Sequence, residues 1–453
     1  MIPFLARHEW QVLTASAVVQ WAIAIFGIAL LAAAGLGAAR AARDGRSFDA
    51  FAQRTSHQLA RPASSRADVI ANEKGWLAVV PPAPLGALAV GQSDVYPGYL
   101  KVTARNLDAV ATGDQIEHPL AVASGHFDAA FVVLFLYPLL IFAVSFDLTA
   151  TERDRGTLRM VMAQPVRLGE VVAGKMIARA LLLALPVILI PVVAATATSD
   201  TIVPVSLVVW TLAVIAYGAI WHGVALVVNS RGWNAAANAL VLAGIWLIFA
   251  IVGPATINLL IAIRYPMPSR VEAAVQARAA TQDATVQGSR ELGQFLQDHP
   301  TSANVGQDGM RQFALLQATR DKQIADRLQA VEATFDAQLA RQQRLASWLS
   351  VLSPTMVAQG VLLEAAGTSA SRFNHFRAEA RAFQQRWQAY FEPYVLDAAT
   401  LSSEETSAAP TFRYAAEPVA VTIRRTALPI IAMAAAGVLL LVAGWRGYRG
   451  YAL

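Results

Sequence analysis

Apolar and polar stretches alternate on a long scale along this chain. Uninterrupted apolar runs cover about Val12–Ala39, Phe127–Phe146, Ala178–Ala197, Val203–Val228, Ala235–Ile263 and Thr426–Trp445. A bilayer core of about 30 Å needs roughly 20 apolar helical residues, so each run predicts a spanning helix. Barrel strands alternate and produce no such runs, which predicts an all-α polytopic membrane protein with about six transmembrane helices. The first run exceeds the ~7–15 residues of a signal-peptide core and reads as a retained anchor. Pro186 and Pro191 inside the third run predict kinks. The turns Ser199–Pro204 and Asn229–Asn234 are tight and polar.

The pattern divides the chain into an N-terminus with its first span (1–39), a polar region (40–125), four spans (126–263) with a polar coupling segment at 147–177, a second polar region (264–425), and a last span with its tail (426–453). The first polar region reads as helix, then short strands near Leu77–Val90 and Tyr99–Thr103 among turn-rich patches. The second reads as helical. Ile324, Leu328, Val331, Phe335 and Leu339 form one amphipathic face, read as an arm of a hairpin with Val271–Gln297. An aromatic stripe, Phe373, Phe376, Phe383, Trp387, Tyr390 and Tyr394, reads as a packed core face in preference to a membrane-interface surface. A large, mainly helical extracytoplasmic region is therefore expected.

Composition agrees with membrane residence: of 453 residues 56% are hydrophobic and only 15% charged. The net charge of +5 is spread among acidic residues without a basic motif, which argues against nucleic acid as a partner. With no cysteine, disulfides, thiolate metal sites and cysteine nucleophiles are excluded. Arg7, the arginines from Arg153 to Arg179, Arg231, Arg446 and Arg449 fall on one side of a six-span arrangement. The positive-inside bias makes that side cytoplasmic, with both termini on it and the long polar regions outside.

The segment Phe146–Arg179 concentrates charge between two apolar runs. Its spacing predicts a helix over Glu152–Met162, with Glu152 near Arg155 and Asp154 near Arg159. Leu158, Met160, Val161 and Met162 would offer an apolar face to a groove on another protein, Gly156 would allow close backbone approach, and Pro165 with Gly169 would end the helix. TERDRGTLRMVMAQPVRLGEVVAGKMIAR resembles the cytoplasmic segment of ABC-2 type permeases that docks on an ATPase subunit. Glu152, Arg153, Gly156, Thr157, Leu158, Pro165, Gly174 and Lys175 carry that likeness, and Arg155 lies among them.

A second stretch, Leu352–Val395, is similar to a subfamily of these permeases whose outer region is a domain of unknown function. Ser353, Pro354, Ala366, Gly367, Thr368, Phe376, Trp387 and Phe391 carry it, extended by GQSDVYPGYLKV from Gly91, PTFRY from Pro410 and RHEW from Arg7. The resemblance implies a permease subunit in a bacterial inner membrane, paired with a second permease as homo- or heterodimer and with ABC ATPase subunits. It would serve export, with the proline-bearing third span as the element that changes state.

No phosphate loop, metalloprotease helix or nucleophile elbow occurs, so ATP and Mg are expected on the partner chain and no cofactor, metal or catalysis on this one. His222 and Asn238 are the candidates for a polar path through the membrane. The competing reading of His222 is a hydrogen-bonded bundle residue, and of Asn238, Asn229 and Asn258 a glue between helices. His118 and His126 lack a third partner for a metal. Two other functions fit the pattern besides transport among membrane lipids. One is mechanotransmission to a periplasmic or lipid-linked partner without a substrate path; the other is a receptor.

Overall fold

The computed structural model describes residues 2–60, 65–93, 96–105, 107–108, 127–198, 204–266, 333–334, 337–397 and 399–449, with isolated positions between 275 and 297. Six helices are long and apolar enough to cross a membrane: Ala17–Phe51, Ala129–Asp154, Leu168–Val192, Val205–Asn229, Ala235–Arg264 and Val419–Tyr448, called here the first to sixth spans. The protein is an all-α polytopic membrane protein. Other helices used below are α1 (Ile2–Ala15), α2 (Ala150–Asp154), α3 (Thr157–Met162), α4 (Pro354–Ala366) and α5 (Ala370–Leu396).

Two starts differ from the sequence expectation. The first apolar run is broken at Ser16, so the first span starts at Ala17, not Val12, and the residues before the break form the separate helix α1. The third span begins at Leu168, not Ala178, and therefore takes in Glu170 and Lys175 as well as Arg179 near the expected start. Leu168, Val171, Val172 and Met176 give those turns a buried apolar face, and Lys175 and Arg179, buried as well, are held there by ion pairs. The helix Leu168–Thr198 runs through Pro186 and Pro191 without a break in its assignment.

The fourth and sixth spans meet backbone to backbone. A Cβ on Gly437 would lie 2.9 Å from the Ala219 Cβ, and one on Gly444 would lie 2.8 Å from the Val227 nitrogen. From the other side, a Cβ on Gly223 would meet Leu440. In lipid, where no hydrophobic drive separates helix from solvent, small residues at such a seam supply the van der Waals contact that holds helices together.

Two spans contain π turns, Val132–Leu136 in the second and Ile248–Val252 in the fifth. Such turns interrupt the regular ladder, and side chains take up carbonyls there. Tyr217 donates to Leu134 O at 2.7 Å, Trp246 to Phe135 O at 3.1 Å, and Ser353 to Phe249 O at 2.6 Å. The last bond matters for topology, because Phe249 lies mid-way along the fifth span. A helix over 337–350 passes that span's end, where Gln342 donates to Tyr265 O, and descends to Ser353. From there α4 returns, burying Ala358, Val361, Leu362, Ala365 and Ala366 in the same apolar cluster as the spans. The second polar region is thus not wholly outside the bundle: in the hairpin of residues 337–366, α4 packs within it, and the helix over 337–350 runs down to α4 along the outside of the fifth span.

The two polar regions build one domain. Strands β1 (Ser65–Arg66), β2 (Trp76–Val79), β3 (Tyr99–Val102), β4 (Leu107–Asp108) and β5 (Thr400–Leu401) form an antiparallel β2-β3-β4 sheet and a β1-β5 pair that joins the regions. Phe376, Phe383, Trp387 and Phe391 of α5 pack on Trp76, Leu100 and Val102, so the aromatic stripe is a core face. Trp387 also donates to Ala71 O at 3.2 Å. The expected strand Leu77–Val90 ends at Val79, because the prolines from Pro81 turn the chain and Leu85, Leu88 and Ala89 enter the bundle's core. The amphipathic face Ile324, Leu328, Val331 and Phe335 and most of Val271–Gln297 lie outside the described residues, as do His118, His126 and most of the Ser199–Pro204 turn.

Candidate functional site: the segment between the second and third spans

The long helix of the second span stops at Ser145, with Phe146–Thr149 between it and α2, and leaves carbonyls that no further helical turn satisfies. Asn229 Nδ2 donates to Ser145 O at 2.9 Å and to Ala225 O at 2.8 Å, while its Oδ1 accepts from Leu148 N at 3.2 Å. Asn238 Nδ2 donates to Phe146 O at 3.1 Å and to Asn229 Oδ1 at 3.2 Å. Asn238 therefore works as a clasp joining the second, fourth and fifth spans, and both its amide protons have that use. His222 is buried on the fourth span with Nδ1 2.8 Å from Gly218 O, and nothing brings it into this cluster.

Beyond the clasp the chain does not form the single helix expected over Glu152–Met162. It breaks at Arg155–Gly156 into α2 and α3. Gly156 takes φ 75°, a left-handed conformation that a side chain disfavours, and a Cβ there would meet no atom within 4 Å. The glycine is thus explained by backbone conformation and not by close approach within this chain. Thr157 Oγ1 closes the break by donating to Glu152 O at 3.1 Å. Helix α3 ends at Met162, ahead of exposed Pro165, whereas Gly169 lies in the third span under Trp445.

The charges hold this bent segment to the bundle. Glu152 Oε1 is 2.7 Å from Lys175 Nζ, which also donates to Leu148 O at 3.0 Å, so Glu152 pairs with the third span and not with Arg155. Arg153 donates to Gly232 O and, at 2.8 Å, to Trp233 O in the turn between the fourth and fifth spans. Leu158 faces inward against Leu148, Leu168, Val172, Met176, Leu226 and Tyr448. It anchors α3 and is not offered to a partner, in contrast to the expectation. Asp154, Arg155, Gly156, Thr157, Arg159 and Met160 are left exposed, Met160 at 73%.

A second layer of contacts was not read from the sequence. Arg179 Nε and a terminal nitrogen lie 3.0 and 2.8 Å from Glu9 Oε1 of α1, and its other terminal nitrogen donates to Val144 O at 2.6 Å and sits 3.5 Å from Asp147. Leu5 and Ala6 of α1 press on Gly174, and Tyr448 of the sixth span shares a 3.2 Å hydrogen bond with Thr149. The available signal was Glu9, an acidic residue in an apolar helix, together with Arg179 at the head of an apolar run.

The comparisons with known proteins concern the other end of the molecule. Residues 270–415 match a family model described as a domain of unknown function (DUF3526). No curated protein matches the chain. The DUF3526 segment supplies the hairpin, α5 and β5. The sheet against which α5 packs comes from the first polar region, outside the match.

Proposed function

We propose that this chain is the permease subunit of an ABC-2 type transporter, receiving ATP-driven motion from a separate ATPase subunit and serving export. The observation that carries this reading is the corner Asp154–Arg159, exposed at every position but Leu158. It is bent outward at Gly156, yet tied through Glu152 to the third span and through Arg153 to the turn between the fourth and fifth. A push on that corner would reach three spans at once without bending a loop. In this reading the corner is cytoplasmic, as are both termini, in a bacterial inner membrane; ATP and Mg belong to the partner, and a second permease completes the complex.

The arrangement of the far end supports movement as the output. Arg425 in the sixth span's first turns pairs with Glu364 of α4 and Glu417, each at 2.9 Å. Burial raises the Glu364 carboxyl, but bonds from Ser369 and Ser371 and the Arg425 charge outweigh it and hold the group below the usual carboxylate range. Motion of the sixth span would be passed to α4 and the domain beyond. The same latch serves the alternative of mechanotransmission to a periplasmic or lipid-linked partner.

Affinity purification of the tagged full chain from its native membrane tests the proposal. The reading expects an ABC ATPase among the co-purifying proteins, retained by the unaltered chain and lost with Gly156→Trp, which fills space that is empty within this chain. Absence of any ATPase, or full retention by the variant, would count against it.

A further inference from the structure

The descending arm of the hairpin carries a polarity gradient on its outward face. Arg341 and Arg344 are exposed beside Gln342, which holds Tyr265 just past the end of the fifth span. Toward the tip, Trp348, Val351 and Leu352 are 80%, 73% and 65% exposed. Helical spacing keeps these positions on one side. A rise of about 1.5 Å per residue puts Trp348 roughly 6 Å and Val351 roughly 10 Å deeper than Arg344. Ser353, bonded to Phe249 O, fixes the tip near the middle of the fifth span, where Ile248, Phe249, Ile251 and Val252 are themselves exposed. The apolar faces of arm and span are therefore continuous.

We propose that this face binds a phospholipid, its phosphate between Arg341 and Arg344 and an acyl chain along Trp348 to Leu352 against the fifth span. Charge complementarity selects the occupant. Guanidinium groups pair with phosphate at the level where headgroups lie, and the indole and aliphatic side chains sit at acyl depth. A free phosphate would leave the apolar half uncovered. A second copy placed arm against arm would set arginine against arginine, and neither residues 337–352 nor Ala235–Arg264 include an acidic residue to compensate.

The absence of native cysteine makes the test direct. Trp348→Cys and, separately, Val351→Cys of the full chain are spin-labelled and placed in nanodiscs of phosphatidylcholine and phosphatidylglycerol. The proposal expects collisions with oxygen to exceed those with a water-soluble nickel complex several-fold at both positions, more so at 351. Native mass spectrometry should show several-fold less phospholipid retained by an Arg341→Gln, Arg344→Gln double variant. Exclusion of both reagents, the sign of a second copy, would overturn it. So would free access of nickel, or undiminished lipid retention by the double variant.

Discussion

Glu9 and Arg179 form a buried ion pair where α1 crosses the third span, and one carboxylate oxygen accepts two guanidinium bonds. Removing one member of a buried pair leaves the other charged and desolvated, typically at a cost of about 3–5 kcal/mol. Glu9→Gln should therefore destabilise the protein by about 3–5 kcal/mol, less whatever Asp147 and the Val144 carbonyl recover. A Glu9→Leu, Arg179→Met double variant should lose less than the sum of the single effects. Denaturant unfolding of the detergent-solubilised chain measures both, and additive losses would show that the pair is not coupled. The residue roles that were legible in sequence were those set by chain-local chemistry. Gly156 needed a left-handed φ, but whether Leu158 faced in or out depended on Leu226 and Tyr448, which no local pattern places beside it.

At the scale of elements, the seam between the fourth and sixth spans is a close helix contact with a clear cause. Gly437→Val would put two methyl groups where the Ala219 Cβ already stands within 2.9 Å of a single added carbon. Overpacking of this kind costs about 1–3 kcal/mol. Thermal unfolding in detergent should show that loss for Gly437→Val and a smaller one for Gly437→Ala; an unchanged midpoint for both would mean that the spans part freely. The six spans were legible because continuous apolar runs report length directly. The hairpin was not: an arm of 337–350 followed by α4 is too short for a span, and the placing of α4 in the core follows from Ser353 reaching Phe249 of the fifth span. The aromatic stripe of α5 was read as a core face, but its partner sheet comes from a region hundreds of residues earlier.

For the whole molecule, the structure makes one connected path. Exposed Asp154–Arg159 leads through Glu152 and Lys175 into the third span, through Arg153 to the turn before the fifth, and through Thr149 and Tyr448 to the sixth. The sixth span then meets α4 at Arg425 and Glu364, at the base of the domain built from both polar regions. Such a path requires packed elements that move as bodies. The most direct measurement of whether work arrives at the exposed corner uses the chain's lack of cysteine. Thr157→Cys, exposed on that corner, is joined by a short bifunctional reagent to whatever protein contacts it in native membranes, and ATP hydrolysis is followed before and after. The account predicts a cross-linked product containing an ABC ATPase, with hydrolysis slowed several-fold once the joint is fixed. No cross-link to an ATPase, or a cross-link that leaves hydrolysis unchanged, would contradict it.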